Sequence, residues 1–405
     1  MTGERRCEVA VVGAGMLGAS AARHLADAGC DVVLVGQAEP TDRQTHGGVF
    51  ASHHDVARVS RIVDPDPVRA WLGYRSVSQF AEVAARTGID AVNPVGHLWV
   101  DSTAGIDLLS EADVQYGLCC QRRGVAGAME NMGFLSLPDG YETLWEPPPA
   151  GSVDPRAHVA AETAAAVAAG ATHVVALVDS VLEGTVGSVS VSTDVGVITA
   201  DRVLLATGAF SGYGSSPAAG LDLEYALHTQ LLVHLDDAEV NRLAGMPSII
   251  GKFADPVDDF YLTPPVRDEI VGRPLGSGNL HILKVGAPQD DHVRATAAEL
   301  VAWFRTDGDP VVAVRLEQIL GGLLPGLRDM GRRTTSCVTT YTPSGFPFID
   351  LLGDRDKGRT YCAIGGNGFA AKCAPALGEL AAGLILGRDW PTEVDRELFR
   401  ARFLG

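Results

Sequence analysis

The residues able to do chemistry are concentrated in a few short segments. Gly13, Gly15 and Gly18 form a G-x-G-x-x-G run with Ala14, Met16 and Leu17 between them. That spacing lets a strand turn sharply into a helix, lets backbone approach a pyrophosphate, and lets the helix pack close to the strand. The helix start then offers N–H donors to the phosphates. A second segment carries Ser52, His53, His54, Arg58 and Arg61 in a chain whose formal net charge is −18. A guanidinium can hold a carboxylate through two parallel hydrogen bonds, so this local positive charge suits an anionic ligand. The 7 cysteines show no regular spacing, no CxxC pair and no His/Cys cluster, so no metal site is expected. No Ser-His-Asp set or paired carboxylates ask for hydrolytic chemistry.

These side chains need elements to hold them. Residues 8–12 read as a buried strand, followed by an Ala-rich helix to about 28 that closes at Gly29 and a second strand over 31–35. This is a βαβ opening with a parallel sheet. An acidic residue ordinarily ends the second strand and binds the ribose hydroxyls. Gly36 stands there, which leaves Gln37, Glu39 or a water for that role. Residues 66–87 read as a long amphipathic helix, and 93–100 as the first strand of a different sheet. The stretch 102–150 carries no clear pattern. Residues 153–170 read as a helix with Asp154 as N-cap. Short strands are expected over 173–177, 181–183, 188–193, 195–199 and 202–206, the last ending in Thr207-Gly208. Residues 224–325 alternate as an antiparallel sheet with helices and contain a turn at Thr263-Pro264-Pro265. A strand over 360–364 leads into Gly365-Gly366-Asn367-Gly368 and a helix to about 386.

A chain of 405 residues is too long for one simple core and implies two domains. Dinucleotide-type pieces at 1–75, 151–215 and 331–405 would form one, with 76–150 and 216–330 interleaved as the other. The acidic surface argues against nucleic acid and anionic membrane as partners. No stretch approaches about 18 uninterrupted apolar residues, so no transmembrane helix is expected. The N-terminal apolar run leads straight into the glycine turn and reads as a strand, not a signal peptide. The cysteine usage suits a reducing cytoplasm.

Several segments together resemble the D-amino-acid-oxidase superfamily, in its sarcosine oxidase and glycine oxidase branch. They are the residues 203–209 (Val-Leu-Leu-Ala-Thr-Gly-Ala), the Ser52–Arg61 loop, the residues 337–343 (Cys-Val-Thr-Thr-Tyr-Thr-Pro) with Phe348-Ile349-Asp350, and the turn Gly365-Gly366-Asn367-Gly368-Phe369. The resemblance implies an α/β fold: a Rossmann-like FAD domain interleaved with an antiparallel-sheet substrate domain. It implies FAD contacts at the glycine turn, Gln37, Ser52, His53, Arg58, Val181, Thr207, Gly208, the 365–369 turn and Lys372. Cys337 stands where the family attaches its flavin by a thioether, so covalent or non-covalent FAD are both open.

The same resemblance implies that Lys284 faces the flavin and assists oxygen reduction, and that Arg61 binds a substrate carboxylate with Tyr261 in the pocket. Thr339 stands where an aromatic contact is expected. In the family a lysine directly follows Gly-Phe and helps bind the carboxylate; here Ala370 holds that place and Lys372, two residues later, is the candidate for that substrate contact. The implied activity is oxidation of an N-substituted glycine or related amine to an imine, with oxygen reduced to peroxide. Two alternatives stand beside it: a dehydrogenase passing electrons to a partner, and a non-catalytic flavin-binding subunit of a larger complex.

Overall fold

The structure is a computed structural model that describes residues 3–130, 132–184, 187–267, 281–288, 291–353 and 358–405. The expected first strand runs over Gly3–Val12 and lies between two parallel partners, Val32–Gly36 and Gly196–Leu205. Its apolar residues Val9, Ala10, Val11 and Val12 are all buried, as a strand covered on both faces requires. The strands expected over 195–199 and 202–206 are one element, because the first strand pairs without interruption from Gly3↔Gly196 to Val12↔Leu205. Thr360–Ile364 extends the same sheet in parallel on the far side of Gly196–Leu205.

Three helices cover one face of this sheet. Met16–Asp27 packs between Pro155–Ala168 and Ala370–Ile385, with Leu25, Leu34, Leu204 and Leu377 in the shared core. Gly378 permits this contact, since a Cβ there would sit 2.5 Å from Cβ of Ser20. Asp154 caps the second helix by accepting from the N–H groups of Arg156 and Ala157, as expected. Between these helices the guanidinium of Arg23 donates to Glu162 and to Gln79 Oε1, the latter at 2.9 Å, with Arg23 3% and Glu162 1% exposed.

A nine-stranded sheet forms the second layer system. It is antiparallel except where Ser248–Gly251 runs parallel to His97–Asp101. The unassigned stretch 102–150 supplies the helix Thr103–Tyr116, capped by Ser102, and the strands Gln121–Gly124 and Glu142–Glu146. Three expectations change here. Thr263-Pro264-Pro265 is not a turn but lies within the strand Phe260–Arg267, at a shift in register between Thr263 and Val266. Proline cannot donate to the ladder, and a bulge removes the need. The strand Gly331–Tyr341, expected with the cofactor-binding pieces, pairs instead along Glu224–Leu235 in the antiparallel sheet. The first strand of that sheet starts at His97, because Val92–Asn93 joins Gly151–Val153 and Arg58–Ser60 in a small separate sheet. Within the alternating stretch 224–325, residues 268–280 and 289–290 lie outside the described residues. Among the described residues no helix is long and apolar enough to cross a membrane, and no cluster could hold a metal ion.

Glu162→Ala would leave the buried, charged Arg23 with only the more distant Asp27 carboxylate, 3.9 Å away, and breaking such a buried pair costs up to about 3–5 kcal/mol. A clear fall in the midpoint of thermal unfolding by calorimetry is expected; an unchanged midpoint would remove the pair from the forces that hold these helices together.

Candidate active site

A single cavity of about 430 Å³ runs from the glycine turn to the antiparallel sheet, a size suited to small-molecule binding. At one end the backbone is drawn tight. Gly13 has φ +109°, and a Cβ there would lie 2.3 Å from the carbonyl oxygen of Ala206. A Cβ on Gly18 would lie 1.8 Å from the oxygen of Gly13, so Gly18 packs the helix and does not reach the cavity. Gly36 explains the missing acidic residue, since a Cβ there would lie 2.6 Å from the nitrogen of Ala14. Of the two substitutes, Gln37 lines the cavity while its Oε1 accepts from Val49 N. Glu39 does not line it, being paired with Arg156 at 2.6 Å.

Two helices start at this cavity, Met16–Asp27 and Ala370–Ile385. Among the described helices of eight or more residues, these two begin without a side-chain cap; Asp66, Ser102, Asp154, Thr296 and Asp309 cap the others. Free N–H groups at the helix starts are available to an anionic ligand. The cradle fits a bound dinucleotide: Ala14, Gly15, Met16 and Leu17 line one wall, Val181, Thr207 and Gly208 another, and Gly365, Gly366, Gly368 and Phe369 a third. Asn367 departs from expectation. Its side chain turns away to accept from Thr342 N at 3.0 Å and donate to Gly365 O at 2.8 Å, pinning the turn to the neighbouring strand.

The far end holds the charged groups. Arg61 donates from Nη1 to Val63 O at 2.8 Å and to Asp64 at 2.6 Å, and lies 4.5 Å over the ring of Trp99. Lys372, on the first turn of its helix, donates to the same Asp64 oxygen at 2.8 Å. The displacement from Ala370 therefore still delivers a lysine to the wall, beside Arg61. Burial opposes the charge on Asp64, but Lys372 and Arg61 outweigh it and hold its carboxyl well below the usual range. Burial, then Arg61, lowers the Lys372 pKa. Glu146 lies beneath, accepting from Ile62 N at 2.8 Å, with its carboxyl pushed up by burial.

Cys337 and Thr339 line the cavity from Gly331–Tyr341, and Ser52, His53, Arg58 and Tyr261 face the same space. Arg58 Nη2 lies 3.5 Å from Cys337 Sγ and donates to Ser52 O at 3.0 Å. Lys284 is not at the wall. It is 0% exposed, donates to Asp55 at 2.8 Å and to Ala57 O, and sits 5.7 Å from the ring of Tyr261. Burial first, and Arg58 second, depress its pKa strongly. Asp55 also pairs with Arg58, and accepts from Gln230, which donates to the Tyr261 hydroxyl at 3.2 Å. Burial, opposed by Arg58, raises the Tyr261 pKa.

The positive loop read from sequence is therefore less positive than its composition. Burial lowers His53 and His54 to about 3, so both rings are neutral, and Asp55 and Asp64 compensate the arginines. Asp55, Asp64, Gln230, Glu146 and His228 escaped the sequence reading. The only available signal was that Asp55 and Asp64 stand three residues from Arg58 and Arg61.

Residues 8–384 match the family described as DAO, FAD dependent oxidoreductase. The chain is 23% identical to N-methyl-L-tryptophan oxidase of Yersinia pestis (strain Pestoides F), over 98% of this chain and 99% of that one. Among solved structures it is similar to NikD, titled an unusual amino acid oxidase essential for nikkomycin biosynthesis, with TM-score 0.75, 21% identity and 99% of each chain covered. It is likewise similar to glycine oxidase from Geobacillus kaustophilus, with TM-score 0.70, 19% identity and coverage of 99% and 100%.

Burial lowers His53 and His54 to about 3 and His228 to about 4, against an ordinary value of about 6.5. These rings support the folded state above about 6.5, and that support is lost as pH falls toward their folded values. The melting temperature should fall through this window, and His228→Gln should flatten the fall. An identical slope in the variant would show that His228 does not titrate with unfolding.

Proposed function

Because the chain belongs to the DAO family of FAD-dependent oxidoreductases, we propose that it oxidises the C–N bond of an N-substituted glycine or related secondary amino acid, with oxygen as acceptor. The observation that carries this reading is the convergence of Arg61 and Lys372 on one end of the cavity, bridged by Asp64. Burial pushes the Glu146 carboxyl beneath them toward its neutral form, so the two cations outweigh Asp64 at this end of an acidic protein. That end binds the substrate carboxylate and orients the carbon next to nitrogen toward the flavin.

Bound FAD supplies the two-electron chemistry. The chain's residues bind, orient and exclude water. Arg61 lines the cavity, and its Nε is buried and has no hydrogen-bond partner among the described residues. Tyr261 presents a hydroxyl held by Gln230, suited to contact the amine. Thr339 and Ala370 leave room at the wall for a large N-substituent, which favours attack at the glycine methylene and release of glyoxylate with a primary amine over attack at an N-methyl group. Cys337 is assigned a thioether to the flavin, with Arg58 beside its sulfur. A second reading, in which electrons pass to a partner, is favoured by one observation: Lys284 is bound to Asp55 behind the wall.

Anaerobic flavin bleaching against N-substituted glycines, D-amino acids and cyclic imino acids tests the substrate class. Hydrogen bonds to charged groups contribute about 1.5–3 kcal/mol, so Arg61→Ala should lower kcat/KM for acidic amines by about ten- to a hundredfold, mainly through KM. Unchanged kcat/KM for every acidic amine would turn the reading to simple amines. For attachment, acid precipitation should carry flavin into the pellet, and Cys337→Ser should release it. Complete loss to the supernatant in the native protein would reduce Cys337 to a neighbour.

A further inference from the structure

Residues 61–64 carry both Arg61 and Asp64, so the direction of the Arg61 guanidinium depends on how this short segment is held. Its two middle residues, Ile62 and Val63, are buried, and both of their N–H groups donate to one side chain, Glu146. That carboxyl group is itself 2% exposed and comes from the strand Glu142–Glu146 of the antiparallel sheet. Its Oε2 lies 3.2 Å from Ile62 N and 3.1 Å from Val63 N, so a single oxygen at that point serves both donors. The helix Pro67–Thr87 presses on the same segment: a Cβ on Gly73 would lie 2.9 Å from the carbonyl oxygen of Arg61. Lys372 ties its end, at Asp64. The Arg61 side chain folds back onto Val63 O and Asp64. A shift of the backbone at 62 and 63 therefore moves the guanidinium and its counterion together.

We propose that Glu146 is a positioning residue: it fixes the backbone of 61–64 and so aims Arg61 at the substrate carboxylate, acting as a hydrogen-bond acceptor and not through its charge. This rests on the reading of Arg61 as the carboxylate ligand. A role through charge and a role through geometry have opposite signs here. A negative charge beside Arg61 and Lys372 opposes an incoming anion, so its removal would tighten carboxylate binding. An acceptor for two buried N–H groups does the reverse. Without it both donors are left unpaired, a state that buried backbone avoids, and the segment moves to find partners. The surroundings favour geometry. Burial raises the Glu146 pKa toward the neutral form, against the two N–H groups, Lys372 and Arg61. His97 stands directly opposite on the neighbouring strand. Burial, then Arg61 and Lys372, depress its pKa well below the ordinary value, so the ring adds no third cation. Burial raises the Cys120 thiol, which stays neutral as well.

The test uses holoenzyme and two dead-end ligands, N-acetylglycine and N-acetylglycinamide, which differ only at the carboxylate and carry no oxidisable amine. Binding is read from the perturbation of the flavin absorbance. The native protein should bind the acid more tightly than the amide. Two conservative variants then separate charge from geometry. Glu146→Gln removes the charge but can place its amide oxygen at the Oε2 position, and should keep the preference for the acid. Glu146→Asp keeps the charge but is one carbon too short to reach both N–H groups. It should lose about tenfold of the preference, through the Kd of the acid. A preference kept in Glu146→Asp, including an equal weakening of both ligands, or a preference lost in Glu146→Gln, overturns the positioning role. No preference in the native protein overturns the Arg61 reading instead. A crystal structure of the Glu146→Asp holoenzyme then decides the positioning role alone: a displaced 61–64 segment upholds it and an unmoved one overturns it.

Discussion

Two buried carboxylates tie one loop to both halves of the molecule. Asp55 is shared by Lys284, from the antiparallel sheet, and Arg58, from the loop itself. Asp64 is shared by Arg61, from the loop, and Lys372, from a helix on the parallel sheet. Each anion is 4–7% exposed, so its two cations are partly stripped of water and depend on it. Removing either carboxylate would leave two like charges facing each other in a low-dielectric interior, a far larger penalty than losing a surface ion pair. The loop's position, and with it the placement of Arg58 and Arg61 at the cavity, follows from this pair of shared anions.

The legible parts of the sequence were those in which function and fold impose the same local requirement. Gly13 and Gly18 are readable because a tight βα turn and a close helix–strand contact both demand them at fixed spacing. Asp66 and Asp154 announce helix starts for the same local reason. The shared carboxylates are different. Lys284 is 229 residues from Asp55 and Lys372 is 308 from Asp64, and no periodicity links such positions. Lys284 sits beside a carboxylate behind the cavity wall, held by a long-range partner that is invisible in the chain order. The two prolines at 264 and 265 misled for a related reason: a bulge in an interior strand satisfies them as well as a turn does.

Net charge also proved a poor guide to the site. A formal charge of −18 sits on the chain as a whole, while the cavity is governed by desolvation, which neutralises His53 and His54 and lets a few paired groups set the local field. The acidic exterior and the cationic pocket end are compatible because screening confines surface charge to about 10 Å, whereas the buried pairs interact at contact distance.

The strand Gly331–Tyr341 has a mechanical consequence. It hydrogen-bonds along Glu224–Leu235 for its whole length, carries Cys337 and Thr339 to the cavity, and continues into Thr342, whose N–H is gripped by Asn367 of the glycine-rich turn. One rod therefore joins the antiparallel sheet to the glycine-rich turn at the start of the Ala370–Ile385 helix. Swinging the antiparallel sheet outward would drag that turn or shear the ladder, so traffic through the cavity is cheaper when the rod stays still and its surroundings yield.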